Sequence, residues 1–281
     1  MMALTTREIP SGAPQLAGSP HPKPSFVPAF IGDWAEAAFV HFAVPPKALQ
    51  PQVPIPLHIY NGWAYVSLVA FTMRRFRPAW LDSPFGELCL SPVAPCRFLN
   101  VRTYVQHGGQ AGIFFLGEWL SNWINIPLGP ALYGLPYHAG LIDFQGNARS
   151  GSRQVRVRSL SGEELSFRAV LKDREYGPAN PSSLDDFLLE RYVAFTVRRG
   201  ELLTFQVDHK PWAQGAAHIE LIQTKLLLQS GGWAEEGRLA GGHLSPGVDN
   251  VHMGGPRQYP HFQAENAVFG TNLAPGFSSC Q

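Results

Sequence analysis

The chain has 281 residues, of which 45% are hydrophobic and 12% aromatic, and it carries 22 lysines and arginines against 21 aspartates and glutamates. This apolar content suffices for a packed core and excludes wholesale disorder. The near-neutral charge, with no basic block, excludes long-range attraction to nucleic acid or to an anionic membrane as the basis of function.

The cysteines and the N-terminus bear on the compartment. Cys89, Cys96 and Cys280 include no Cys-x-x-Cys pair, so they make no disulfide framework and favour a reducing environment. The first residues lack a basic region followed by an apolar core, as a secretory signal would have. No window approaches the roughly 20 apolar residues of a membrane span. We expect a cytoplasmic protein with neither membrane nor nucleic acid as partner.

Composition predicts three segments. Residues 1–28 are rich in proline, glycine, serine and alanine, which predicts a flexible arm. Residues 29–230 form one dense body without an interior linker. Residues 231–281 are again rich in glycine and proline, and we expect a tail there that wraps the body.

Strand patterns dominate the body. Asn61-Gly62 lies between two β-rich runs at 58–73 and predicts a hairpin with two positive-φ turn residues. A second hairpin is predicted at 97–120, and strict alternation at 153–171 indicates half-buried antiparallel strands. Residues 182–197 begin with serine N-cap candidates and predict a short helix followed by a strand. We expect an α+β fold, mainly antiparallel β, curled into a barrel with a few packed helices.

The motifs, in this order, resemble a known family. The segments "FVHFAVPPKALQPQVP", "HIYNGWAYVSLVAFTMR", "NVRTYV", "LYGLPYHAG", "DDFLLERYVAFT" and "HKPW" look like the YqjF-like bacterial family, which is itself similar in fold to acetoacetate decarboxylase. The resemblance covers about residues 30–220. It implies one domain around a cone-like antiparallel barrel with an apolar interior.

The resemblance also gives meaning to the Gly-x-Pro turn before residue 137. In acetoacetate decarboxylases this turn delivers two adjacent lysines into the barrel, and one of them forms a Schiff base. Tyr137 and His138 occupy the corresponding positions here, and neither forms a stable imine. The lysines of the chain are distant in sequence from this turn: Lys23, Lys47, Lys172, Lys210 and Lys225. We therefore predict that the decarboxylase mechanism does not carry over.

A polar trio on one strand is the first candidate binding group. Asn100, Arg102 and Tyr104 alternate and must project from one sheet face. If that face lines the barrel, Arg102 can hold a carboxylate or enolate oxygen. The alternative is a structural ion pair between Arg102 and Glu118 or Glu190.

Three residues are candidates for moving a proton. Tyr137 and His138 are neighbours on extended chain, so only one of them is expected to enter the cavity; a histidine there would titrate near neutrality. The resemblance implies an acidic residue shortly before Asn-x-Arg-Thr-Tyr, where this chain has Phe98. Glu118, after an apolar run, is the candidate replacement, either as general base or as partner of Arg102.

The remaining candidates are expected around the cavity. Trp119 is a candidate ligand contact, and Trp212 is expected in the core or the cavity wall. Glu190 and Arg191 are expected first as a structural pair and second as pocket rim. His243, His252 and His261 recur at nine-residue intervals without accompanying ligands, so no metal is expected. No dinucleotide or phosphate-binding loop is present, so no cofactor is expected.

These observations predict a cavity protein for a small apolar keto acid, ketone or carboxylate. The first hypothesis is lyase- or hydratase-type proton transfer beside a carbonyl without a Schiff base, with Arg102 as anchor and Tyr137 or His138 as proton carrier. The alternative is a non-catalytic small-molecule binding protein with a dry pocket. In a third interpretation the tail covers a barrel edge in a homo-oligomer.

Overall fold

The computed structural model describes residues 24–173 and 175–259. The strands are β1 (Pro28–Val44), β2 (Ala64–Pro78), β3 (Cys96–His107), β4 (Gln110–Leu120), β5 (Tyr137–Asn147), β6 (Ser152–Ser159), β7 (Glu164–Leu171), β8 (Val193–Arg198), β9 (Glu201–Asp208), β10 (Gly215–Thr224), β11 (Arg238–Gly254) and β12 (Arg257–Gln258). The α-helices are α1 (Pro46–Leu49), α2 (Pro84–Cys89), α3 (Leu128–Tyr133), α4 (Leu184–Leu189) and α5 (Trp233–Glu236). Four 3₁₀ turns complete the secondary structure: Gln50–Gln52, Ala79–Leu81, Trp123–Asn125 and Lys225–Ser230.

The strands form two closed barrels that share strands. One closure runs β4-β3-β2-β1-β11-β10-β7-β6-β5 and returns to β4, which makes a mixed barrel of nine strands, here called the first barrel. In the other closure β9 pairs with β11 and β8 pairs with β4, so that β8 and β9 complete a second barrel with β1–β4 and β11. The predicted fold class, a mainly antiparallel barrel with few helices, is confirmed.

The shared strands are buried on both faces, which explains their near-continuous apolar sequence. On β3, Leu99 and Val101 pack into one hydrophobic cluster with β5–β7 and β10, inside the first barrel. Phe98 and Tyr104, on the opposite face, pack into another cluster together with residues of β8 and β9. Asn100 and Arg102 alternate with the first pair and therefore face the second barrel.

Local turn chemistry follows the sequence. Asn61 and Gly62 have φ of 49° and 82°, which confirms the predicted turn, although only isolated bridges precede it. Gly108 and Gly109 join β3 to β4, also with positive φ. At the start of α4 the Ser183 hydroxyl accepts a hydrogen bond from the Asp186 backbone N–H, which confirms the serine cap.

The C-terminal segment differs from the expected tail. From residue 238 the chain forms β11, which pairs along β1 over its whole length, and Trp233 is fully buried in the core. The glycines that suggested a loop allow bends in a long barrel strand, as at Gly247 with φ of 115°. Residues 1–23 of the predicted arm and 260–281 of the predicted tail lie outside the described residues. Within the described ranges, no helix is long and apolar enough to cross a membrane.

Candidate active site in the second barrel

The predicted polar trio lies on the inner face of the second barrel. The guanidinium of Arg102 and the hydroxyl of Tyr104 both donate to the backbone carbonyl of Leu188 on α4, at 3.2 and 2.7 Å. Asn100 lies directly opposite Glu118 of β4 in the antiparallel register. The α4 helix therefore covers one end of a polar stripe, and the Asn100–Glu118 pair forms the other.

Glu118 and Asn100 each have an unsatisfied buried oxygen in this stripe. Glu118 is only 2% exposed, and burial raises the pKa of its carboxyl well above the usual value. Within the described part of the chain, Glu118 Oε2 and Asn100 Oδ1 are buried without a hydrogen-bond partner. Unpaired buried polar atoms are costly, so they mark a place where a ligand or water would be stabilised.

Arg102 does not form the structural ion pair that was the alternative to ligand binding. Among the described residues no salt bridge joins it to Glu118 or Glu190, and its Nε is buried without a partner. Arg191 lies nearby, with its guanidinium 5.6 Å from the ring centre of Tyr104. Burial first, and the charge of Arg102 after it, lower the pKa of Arg191. Two partly desolvated guanidinium groups in one interior favour an anionic guest.

Tyr137 enters this interior, as one of the two neighbours was expected to do. It lies beside Glu118 in the parallel register of β4 and β5 and makes an edge contact with Phe98, with ring centres 6.1 Å apart. Burial, followed by the Glu118 carboxyl, holds the pKa of Tyr137 well above its usual value. Its phenol is therefore a hydrogen-bond donor rather than a base.

An apolar cavity of about 240 Å³ opens beside Tyr137. Phe98, Met73, Leu135 and Phe205 contribute to its wall, and the lining is almost wholly apolar. The cavity is large enough for a small organic acid. Tyr137 lines this cavity and lies beside Glu118 in the strand register, whereas Glu118, Asn100 and Arg102 are not among the lining residues.

His138 and Trp119 lie outside the polar stripe. Trp119 is fully buried in the cluster of the first barrel, and the exposed His138 stacks on it with ring centres 5.3 Å apart. Since residue 138 alternates with residue 137, it faces away from the second barrel. The geometry thus separates these two candidates from the polar stripe.

Glu190 and Trp212 support the second barrel together. Glu190 Oε1 accepts the backbone N–H of Trp212 at 2.9 Å, and Glu190 Oε2 accepts the Tyr192 hydroxyl at 2.6 Å. The Trp212 ring is buried against Phe39, with ring centres 5.1 Å apart. Instead of the expected pair with Arg191, Glu190 thus fixes the chain that carries Trp212.

The described lysines are all exposed: Lys47, Lys172, Lys210 and Lys225. None of these four ammonium groups enters either barrel. Lys23 lies outside the described residues.

Sequence reasoning did not place three polar side chains in the second barrel, and it considered only one of them, His243, as a metal ligand. His41 and Ser67 are 1% and 0% exposed and hydrogen bonded to each other at 2.6 Å, and His243 is bonded to His41 at 3.0 Å. A polar residue inside the apolar runs "FVHFAV" and "YVSLVAF" was the available signal, because a buried polar group in a strand needs a partner.

The two closed barrels give this chain the fold of solved acetoacetate decarboxylase-like proteins. Residues 32–249 match the DUF2071 family model, described as an uncharacterized conserved protein, and the chain belongs to this family. It is 26% identical over 191 residues to the uncharacterized protein YqjF of Bacillus subtilis strain 168, which covers 67% of this chain and 76% of that protein.

Solved structures share the fold at low identity. An acetoacetate decarboxylase-like enzyme from Sphingomonas wittichii RW1 is 18% identical with a TM-score of 0.58, over 83% of this chain and 94% of that one. The enduracididine biosynthesis enzyme MppR, solved in complex with pyruvate, is 15% identical with a TM-score of 0.55, over 84% and 92%. At these identities the likeness establishes the fold alone.

Proposed function

We propose that this protein catalyses proton transfer next to the carbonyl group of a small 2-oxo acid, without a Schiff base. The observation that carries the proposal is the set of buried, unsatisfied donors beside a buried carboxyl: Arg102 Nε, Arg191 Nε and Nη2, and Glu118 Oε2. Burying unsatisfied donors is costly, and the carboxylate and carbonyl of a guest would accept hydrogen bonds from them.

Each group has a chemical role in this proposal. Arg102, with Arg191 beside it, holds the carboxylate of the guest through charge-assisted hydrogen bonds. Glu118 exchanges a proton with the carbon next to the carbonyl, since a carboxyl with a raised pKa is a stronger base once ionised. Tyr137 donates a hydrogen bond, and the apolar cavity beside it takes the alkyl end. The pyruvate complex of MppR supports the choice of guest class by analogy of fold.

The test is deuterium exchange. Pyruvate incubated with the protein in D₂O is followed by proton NMR of its methyl group, with Glu118→Gln as the variant that keeps shape and removes the base. The proposal expects exchange above the uncatalysed rate for the wild type and loss of it in the variant. Equal rates with and without protein, although pyruvate binds, would contradict it.

A second candidate is a binding protein without catalysis. The almost wholly apolar wall of the cavity favours it, because such a pocket retains an apolar ligand by burial alone. It predicts saturable binding of a 2-oxo acid with no exchange in either protein. Calorimetric titration alongside the NMR experiment separates the two functions.

A further inference from the structure

A chain of hydrogen bonds leads from the protein surface to the polar stripe. It begins at Asp185 on α4, whose side chain is 45% exposed and whose Oδ1 lies 3.1 Å from His243 Nε2. His243 Nδ1 lies 3.0 Å from His41 Nε2. The two imidazoles come from adjacent strands, β11 and β1, and both are buried.

The chain continues without a gap to β3. His41 Nδ1 lies 2.6 Å from Ser67 Oγ, and Ser67 Oγ lies 2.5 Å from the Tyr104 hydroxyl. The Tyr104 hydroxyl donates to the Leu188 carbonyl, which also accepts from Arg102. Every link is short enough for proton transfer along the bond.

The position of each proton follows from the hydrogen bond between the Tyr104 hydroxyl and the Leu188 carbonyl. The Tyr104 hydroxyl has one hydrogen, which it donates to the Leu188 carbonyl, so the Ser67 hydroxyl must donate to Tyr104. His41 Nδ1–H must then donate to Ser67. Burial first, then the charges of His243 and Arg102, hold the pKa of His41 well below its usual value. His41 is therefore neutral, and its bare Nε2 must accept from His243 Nδ1–H.

His243 then carries two protons. Its Nε2 faces the Asp185 carboxylate and donates to it, while its Nδ1–H donates to His41. The hydrogen bond from His243 first, and the charges of His243 and Lys172 with it, lower the pKa of Asp185, as expected for a carboxylate opposite an imidazolium. The mobile charge thus rests at the surface end of the chain.

We propose that Asp185, His243, His41, Ser67 and Tyr104 form a proton relay that serves the carbonyl oxygen of the bound substrate. This inference rests on the proposed function for its reaction. Arg102 and Tyr104 converge on the Leu188 carbonyl, so the carbonyl oxygen of a substrate whose carboxylate Arg102 holds would compete with Leu188 for the Tyr104 proton. Tyr104 is then a catalytic residue, and the other four are positioning residues that act through it.

The transfer balances. When the substrate oxygen takes the Tyr104 proton, the Ser67 proton moves to Tyr104, and the His41 Nδ1 proton moves to Ser67. His41 Nε2 takes the Nδ1 proton of His243, which leaves a neutral His243 that still donates from Nε2 to Asp185. The substrate oxygen gains this proton while the α-carbon gives one to the ionised Glu118 carboxylate, so the enol carries no extra charge. The reverse transfers restore the first state when the ketone forms again.

The charged groups that face the relay set its direction. Arg102 from β3 and Arg191, whose guanidinium lies 5.6 Å from the ring centre of Tyr104, are the cations at the interior end of the chain. At the surface end, Lys172, which follows β7, acts as a cation and Asp185 from α4 as the anion. A cation at the interior end disfavours charge on His41, and the carboxylate at the surface end holds it on His243. The relay therefore delivers a proton inward without placing a positive imidazole beside the substrate.

Histidine ¹⁵N NMR tests the relay without any substrate. At a fixed pH near neutrality, the relay predicts that the resting His41 is neutral and carries its hydrogen on Nδ1, because Tyr104 donates to Leu188. Asp185→Asn removes the carboxylate that faces His243 Nε2 and should shift the His243 ring nitrogen resonances. Asp143→Asn is the matched control, because Asp143 is 55% exposed on β5, and it leaves these resonances in place. A resting His41 that carries its hydrogen on Nε2 overturns the relay.

The deuterium exchange of the pyruvate methyl group is the second test of the relay. Ser67→Ala interrupts the chain and lowers the rate of pyruvate methyl exchange in D₂O by about tenfold or more, with its effect on kcat rather than KM, and Ser67→Thr restores it. Ser166→Ala, which removes a buried hydroxyl from β7, leaves the rate unchanged. An unchanged rate in Ser67→Ala contradicts the relay. If the wild type shows no exchange at all, the proposed function fails, while the tautomer measurement still decides the relay.

Discussion

Asn100 and Glu118 face each other across β3 and β4, and in the described structure each keeps a buried side-chain oxygen that lacks a hydrogen-bond partner. Buried polar atoms without a partner are costly, and burial raises the pKa of the Glu118 carboxyl. The protonation of Glu118 therefore couples the stability of the fold to pH.

Glu118→Gln should remove one pH dependence of stability. Folding raises the pKa of this carboxyl. The folded protein therefore keeps a proton on Glu118 at pH values where the unfolded chain has released it. The wild type should lose stability as pH rises from about 4 toward the folded pKa, by about 1.4 kcal/mol per pH unit from this group. Urea unfolding of both proteins across this range measures the difference. A difference in unfolding free energy that does not vary with pH would show that Glu118 is not shifted.

Arg102→Met should abolish most of the affinity for a 2-oxo acid. The long apolar side chain keeps much of the packing and removes the charge-assisted hydrogen bonds, so the Kd for pyruvate should rise about tenfold to a hundredfold. Calorimetric titration measures it. Arg168→Met, on an exposed position of β7, serves as the control and should bind like the wild type. Unchanged affinity in Arg102→Met would remove the anchor from the proposed function.

Gly129→Ala should destabilise the fold through Tyr137. A methyl group at Gly129 on α3 would overlap the Tyr137 ring, and overpacking of this kind costs about 1–3 kcal/mol. In a Tyr137→Ala background the same substitution should cost much less, because the ring is absent. Chemical unfolding of the two single variants and the double variant gives the coupling. Additive effects would show that the ring does not pack on α3.

Borohydride should not trap pyruvate on this protein. The four described lysines are exposed and lie outside both barrels, and Tyr137 and His138, which follow the Gly-x-Pro turn, are not amines. An exposed lysine keeps its ammonium protonated near neutrality and is a poor imine former. Intact-protein mass spectrometry after reduction should show the unmodified mass. A stoichiometric adduct would overturn the proposal of chemistry without a Schiff base.

Much of the fold was predictable because it depends on local chemistry. Alternation at 153–171, the Asn61-Gly62 turn and the Ser183 cap each act over a few residues, and the structure has all three. β11 was not predicted, because its glycines resemble loop signals and only pairing with β1 makes them part of a strand.

The candidate site also has features that were predictable from the sequence and features that were not. Strand period alone placed Asn100, Arg102 and Tyr104 on one face and required Tyr137 and His138 to point apart. The sequence does not specify which of the latter two enters the second barrel, because that depends on how β5 pairs with β4.

The barrel class, the family and the absence of lysine directly after the Gly-x-Pro turn were predictable from the sequence, since these depend on residue types and their order. Two features appear only in the folded chain: Glu118 Oε2 is buried without a partner beside Asn100, and Asp185, His243, His41 and Ser67 connect to Tyr104. These contacts join residues as far as 202 positions apart. Burial and hydrogen bonding between distant strands are properties of the closed barrel, and no local pattern encodes them.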